Sequence, residues 1–240
     1  MYDVNEFHFN KNECWFKKAC EDFNNPEFCN CACPVYLQFY YLVNLANIPT
    51  PLQYPENLRL TPGKDSKEFD YLETVRRDIV RWVREGNNLY LFSESPGNGK
   101  TTWACKLMLA YFYQIFDGNG LNCRGLFINV IEYLHKKKDC ISNPDSRFAE
   151  MEQLIPTVDL VIWDDIGMGQ LTGYEYNLMY AMINQRVNHQ KANIFTSNVI
   201  DEDLDRAVGF KLSDRILSTS DVVEFINPSQ RKSARERGRK

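Results

Sequence analysis

Residues 89–104 read LYLFSESPGNGKTTWA, an apolar run opening into a glycine-bearing loop that closes on Gly99, Lys100 and Thr101. The pattern G-x-x-x-x-G-K-[ST] is that of a nucleotide-phosphate cradle, except that Glu94 stands where the first glycine belongs. Gly97 and Gly99 can take the positive backbone torsions that turn successive N–H groups inward as an anion nest, with Asn98 between them. Lys100 would then reach the β- and γ-phosphates, and the Thr101 hydroxyl, followed by Thr102, would meet Mg2+ at a helix N-terminus. Glu94 falls where the strand ends, ahead of the nest, so its side chain can point away from the phosphates. The alternative is a chance Gly-Asn-Gly-Lys-Thr turn.

Three further positions are chemically suggestive. In LVIWDD, Asp164 and Asp165 close an apolar run, with Asp164 lying 64 residues beyond Lys100. Two acids at a strand's carboxyl edge suit NTP hydrolysis, one holding Mg2+ and the other orienting the attacking water; a turn with a helix cap is the simpler alternative. Asn198 ends the apolar run NIFTSN, where an amide can hold that water or sense the γ-phosphate, or merely shape a turn. Arg215, in KLSDRILSTSD, is either a surface ion-pair former or a finger reaching a neighbouring subunit's γ-phosphate.

These residues need a scaffold that gathers the ends of several strands. Strand-like apolar runs occur at 88–93, 125–130, 158–165, 192–198 and 221–226, and helix-length stretches separate them. A helix is expected over 101–116. Another runs from residue 66 to Gly86, with Leu72, Val75, Ile79, Trp82 and Val83 on one face. Alternation of this kind predicts an α/β fold, a parallel sheet flanked by helices on both faces. Upstream, 35–48 reads as a short apolar helix, and Pro49, Pro51, Pro55 and Pro62 mark a linker or extended crossing segment. The expected division is 1–60, 61–232 and a basic tail, 233–240.

The net charge of −4 excludes a uniformly basic nucleic-acid binder, although the last ten residues carry six basic side chains. No apolar run approaches the roughly 20 residues that span a bilayer, so no membrane partner is expected. The polar start MYDVNEFHFNKNE lacks a signal-peptide core and points to the cytoplasm. Five of the eight cysteines fall within residues 14–33, which in a cytosolic chain suggests a metal site rather than disulfides. Tetrahedral Zn2+ would take four thiolates, expected as Cys14, Cys20, Cys29 and Cys33, with Cys31 the main competitor and His8 a more distant one. An iron–sulfur cluster and free buried thiols are the alternatives.

The ordered set PGNGKT, LVIWDDIG, IFTSN and DRI…VVEF…SQR resembles the AAA+ helicase loaders of the DnaC/DnaI type and their IstB-type transposon relatives, over about residues 48–232. The cysteine-rich N-terminus is similar to the zinc-bearing, helicase-binding domain of the DnaI branch. The resemblance implies an AAA+ P-loop core plus a small N-terminal metal-binding domain. It implies ATP and Mg2+ bound by Gly97, Asn98, Gly99, Lys100, Thr101 and Thr102, with Asp164 serving the metal and Asp165 the water. Asn198 would be the first sensor, Arg215 the arginine finger and Arg231 the second sensor. Glu94 departs from the pattern, and Lys211 replaces a common arginine. Asp165 replaces a common glutamate, which suggests slow, switch-like hydrolysis.

The implied partners are a replicative hexameric helicase, single-stranded DNA and further copies of the chain in an AAA+ oligomer, in a protein of phage or mobile-element origin. Tyr133 and Lys136–Lys138 are the expected contact with single-stranded DNA, by stacking and phosphate pairing. Rival readings are an IstB-like transposition ATPase, a non-hydrolysing ATP-binding adaptor and a nucleotide kinase, the last disfavoured because no arginine-rich lid is evident.

Overall fold

The computed structural model describes residues 9–115, 122–200 and 203–230. The expected strands are β1 (Asn88–Phe92), β2 (Gly125–Asn129), β3 (Leu160–Asp164), β4 (Ala192–Ser197) and β5 (Ser220–Glu224). They form one sheet in the order β2-β3-β4-β1-β5, with every neighbouring pair parallel. β1, β3 and β4 are buried along their whole length, which is why they read as unbroken apolar runs.

Side chains alternate between the two faces. Leu89 and Leu91 join a core with α1 (Pro34–Leu45), α2 (Ser66–Arg77), α3 (Ile79–Arg84) and α4 (Lys100–Gln114). Tyr90 and Phe92 join a second core with α5 (Val130–Ser142), α6 (Ser146–Leu154), α7 (Gly173–Asn188), α8 (Leu204–Val208) and α9 (Phe210–Leu217). The single helix expected from residue 66 to Gly86 is instead two, broken at Asp78 (φ −110°, ψ 30°). Aspartate is a weak helix former, and the break lets both Leu72 of α2 and Ile79 of α3 reach the same core.

The segment before β1 is laid against this core. Phe39, Leu42 and Val43 of α1, with Ile48 and Leu58, are buried together with Trp103 and Leu107 of α4. The proline-rich stretch forms two 3-10 turns, Thr50–Gln53 and Pro55–Leu58. Trp15 stacks on Tyr54 with ring centroids 6.0 Å apart, and its indole N–H donates to the Gln53 carbonyl at 2.9 Å.

α7 starts with a capping box: the Thr172 hydroxyl accepts from the Glu175 N–H, and the Glu175 carboxylate accepts from the Thr172 N–H at 2.7 Å. Lys138 of α5 pairs with the same carboxylate at 2.8 Å. The lysine first, then the Thr172 N–H and hydroxyl, hold the Glu175 carboxyl down from 4.5 to about 2. A lowered carboxyl stabilises the fold above its unfolded value, and that contribution disappears as pH falls towards 2. Glu175→Gln is therefore expected to cost about 1 kcal/mol at pH 7, with the gap closing between pH 4.5 and 2. Urea unfolding across that range checks this; a pH-independent gap refutes it.

Candidate functional site

The carboxyl ends of β1, β3 and β4 lie side by side, the place where open parallel sheets bind ligands. The loop after β1 is folded on itself. Gly97 and Gly99 take φ values of +80° and +108°, which only glycine adopts readily. At Gly99 a Cβ would also come within 2.8 Å of Leu60. Asn98 is fully buried between them, its amide donating to the Ser93 hydroxyl and, at 3.3 Å, to the Phe225 carbonyl. Lys100 starts α4 with its ammonium held inside the loop, 3.3 Å from the Ser95 carbonyl and 3.1 Å from Asn98 Oδ1. Glu94, at the missing glycine's place, is exposed and is not among the residues lining the cavity.

Asp164 ends β3, almost fully buried. Its Oδ1 accepts from the Thr101 hydroxyl and from the Thr196 hydroxyl, each at 2.7 Å, and Asn129 lies 3.5 Å from Oδ2. Burial pushes this carboxyl upward; the two hydroxyls pull it back, and the charge of Asp165 adds to the rise. Asp165 turns the chain with φ +58°, its N–H held by Thr196 Oγ1 at 3.1 Å. Thr101 and Asp164 thus present paired hard oxygen donors beside the loop, a set that fits Mg2+.

A cavity of 610 Å³ joins these groups, lined by Gly97 to Thr102, Asp164, Asp165 and Asn198. Asn198 donates to Met168 Sδ at 3.2 Å. Part of the lining was not anticipated from sequence. It comes from Leu52, Asn57, Arg59 and Leu60, in the stretch read as a linker, and from Gln230. Gln230 exchanges two 2.9 Å hydrogen bonds with the Thr61 backbone, and its own N–H donates to the Gly97 carbonyl at 2.8 Å. The prolines near residue 50 signal irregular chain, and nothing in their spacing tells which ligand that chain faces.

Other expected residues lie elsewhere. Arg215 of α9 is outside the cavity wall, its guanidinium on Asn184 and, at 2.9 Å, on Asn188 of α7. Arg231, the basic tail and His8 fall outside the described residues. The expected stacking role of Tyr133 is overturned: the ring is 4% exposed and its hydroxyl donates to Glu152 at 2.7 Å, so no face is open to a base. Lys136, Lys137 and Lys138 pair with Asp145, Glu152 and Glu175 at 2.7–2.8 Å, which offsets the positive charge that would attract phosphate.

The zinc expectation is not met as a ligand cluster: among the described residues no group of three or more His, Cys, Asp or Glu is placed to hold a metal. Cys14, Cys20, Cys29 and Cys33 nonetheless line one cavity with Phe16 and Tyr36, and Cys31 does not. Burial pushes the Cys14 thiol up, the Phe16 backbone N–H lowers it, and the nearby Cys33, Cys20 and Cys29 raise it further. No helix among the described residues is long and apolar enough to cross a membrane.

A family model described as IstB-like ATP binding protein matches residues 39–238. The replicative helicase loader DnaC of Escherichia coli (strain K12) is 24% identical over 154 residues, covering 63% of this chain and 56% of that relative. This chain therefore spans little more than half the length of that relative. The crystal structure of the DnaC helicase loader superposes with a TM-score of 0.58 at 16% identity, over 70% of this chain and 93% of that one. The crystal structure of DnaI gives 0.56 at 18%, over 77% and 94%. AMPPCP-bound DnaA from Aquifex aeolicus gives 0.54 at 16%, over 70% and 48%. The five-stranded parallel sheet and its helices match the AAA+ P-loop domain. With the family model covering most of its length, this chain belongs to the IstB-like ATP-binding protein family.

Proposed function

We propose that this protein is an ATP-dependent loader of a replicative hexameric helicase, acting with single-stranded DNA at the start of replication in the cytoplasm. The observation that carries the ATPase part is the 2.7 Å contact between Thr101 of the phosphate loop and Asp164, inside a cavity that also holds Asp165 and Asn198. Lys100 and the loop N–H groups bind the phosphates of ATP. Thr101 and Asp164 would hold Mg2+, which would supply charge neutralisation for the phosphates. Asp165 orients the attacking water, and Asn198 senses the γ-phosphate.

Arg215, held on α7 away from its own cavity, suits a finger offered to a neighbouring copy in an AAA+ oligomer. Arg231 is assigned as the second sensor by family resemblance. The cysteine-rich segment ahead of α1 is assigned to the helicase; Cys14, Cys20, Cys29 and Cys33 share one cavity without forming a ligand cluster, and metal analysis of the purified protein tests whether they take Zn2+. The loader reading is supported by the DnaC relative. The match to IstB-like ATP binding proteins supports a second reading, and the role this reading gives the chain is an ATPase that serves transposition on duplex DNA.

The test is ATP turnover by wild type and Lys100→Ala, each with and without single-stranded DNA, alongside capture of a hexameric helicase. Turnover in wild type alone, stimulated by single-stranded DNA, is expected. Absence of ATP binding in wild type refutes the reading, and stimulation by duplex DNA alone favours transposition. A deletion to probe helicase capture must stop before Pro34, because α1 belongs to the core.

A further inference from the structure

We propose that Thr196, a residue outside the cavity, is the positioning residue for both acids of the nucleotide site; this rests on the ATPase reading above. Thr196 is fully buried in β4, directly after Ile194 and Phe195, where a valine of the same shape would pack without a polar atom to satisfy. Its hydroxyl has one proton to give and lone pairs to receive with. The proton goes to Asp164 Oδ1 at 2.7 Å, and the oxygen receives the Asp165 N–H at 3.1 Å. One buried atom therefore sets the rotation of the first carboxylate and the backbone of the second.

The second effect matters because Asp165 has φ +58°, a region that residues other than glycine seldom occupy. β4 clamps this turn from both sides. The Ile166 N–H donates to the Thr196 carbonyl at 2.9 Å, and the Ser197 hydroxyl donates to the Ile166 carbonyl at 2.6 Å. The same strand end carries Asn198 into the cavity and receives the Ser93 N–H from the start of the phosphate loop at 3.3 Å. Thr196 lines no part of the cavity, so it acts through the acids and not on the nucleotide.

Thr196→Val keeps the shape and removes the hydroxyl, whereas Thr196→Ser keeps the hydroxyl. In Thr196→Val, kcat for ATP hydrolysis is expected to fall about 10- to 100-fold, and the Mg2+ concentration for half-maximal ATP binding is expected to rise. The affinity for ATP at saturating Mg2+ is expected to stay near wild type, while the Tm falls modestly because the Asp165 N–H loses its acceptor. Thr196→Ser is expected to restore kcat and the Mg2+ dependence. Should the valine variant not fold, Thr196→Cys against Thr196→Ser makes the same comparison, since a thiol is a weak donor. A wild-type kcat and Mg2+ dependence in Thr196→Val, or equal losses in the valine and serine variants, overturns the assignment. Lys100→Ala in parallel separates the two failures. Turnover that survives in Lys100→Ala, or no ATP binding by wild type, refutes the ATPase reading and this role with it. Turnover lost in Lys100→Ala but untouched in Thr196→Val refutes the Thr196 role alone.

Discussion

Asp164→Asn is expected to lower ATP turnover by roughly 10²- to 10³-fold while leaving the fold at least as stable as wild type. The two effects have opposite signs because the same burial causes both. A buried carboxylate is a strong ligand for a hard cation, and asparagine offers no charge there. The amide oxygen can still accept from Thr101 and Thr196, the donors that Asp164 Oδ1 serves at 2.7 Å, so the packing survives. Asp164 is raised from 3.8, first by burial and further by the charge of Asp165, so its ionised form is disfavoured in the folded state. A raised carboxyl costs stability as pH climbs through its folded pKa, and the asparagine variant escapes that cost. Calorimetry from pH 4 to 8 and a coupled ATPase assay measure the pair of effects. A variant that keeps more than about a tenth of wild-type turnover, or melts well below wild type near neutral pH, contradicts the assignment.

Arg186→Met is expected to destabilise the protein by about 3–5 kcal/mol, a fall in Tm of roughly 6–20 °C for a chain of this size. Arg186 lies on α7, fully buried, at the opposite end of the sheet from the nucleotide cavity. Its guanidinium donates to the carbonyls of Ile155, Val158 and Ala192 at 2.6–2.9 Å and to Asn193 Oδ1 at 2.8 Å. Asn193 in turn receives the Trp163 indole N–H at 3.0 Å and donates to Asn88 Oδ1 at 2.8 Å. One side chain thus closes the amino ends of β3, β4 and β1. Burial pulls the guanidinium down to about 9, with Asp159 opposing, which leaves it cationic at neutral pH. Methionine fills similar space but strands several buried carbonyls, each costing about 1–3 kcal/mol when left unpaired. Chemical denaturation measures the loss, and a change below about 1 kcal/mol refutes this account. At temperatures where the variant stays folded, its ATP affinity should match wild type, since the strand ends that line the proposed nucleotide cavity are untouched.

The parts of the site legible in the sequence are those that local chemistry encodes. Gly97, Gly99, Lys100 and Thr101 are adjacent in the chain and must adopt one loop between a strand and a helix. Asp164, Asp165 and Asn198 could be read because each ends an apolar run, and parallel strands deliver their carboxyl ends to one edge. The alternation of Leu89 and Leu91 with Tyr90 and Phe92 explains why β1 shows no period-two signal: both faces are covered. Tyr133 misled because its surroundings come from distant parts of the chain. A run of lysines beside an aromatic looks like a stacking platform, but the acids that neutralise it, Asp145, Glu152 and Glu175, lie on α6, its flanking turn and α7.

The sequence by itself determined the α/β class and the five strands, and it placed the Gly97–Thr101 loop, Asp164 and Asp165 at strand ends. Each of these depends on near neighbours along the chain, where backbone geometry converts residue order directly into spacing. Only the tertiary structure decided what surrounds them. It placed Leu60 against Gly99, joined Gln230 to Thr61 and Gly97, and brought Thr196 within hydrogen-bond reach of both acids. It also left Glu94 exposed and outside the cavity lining, while the two later glycines shape the nest. Contacts between residues as far apart as 61 and 230 have no sequence period to report them; they exist because the sheet closes and leaves each side chain one set of partners.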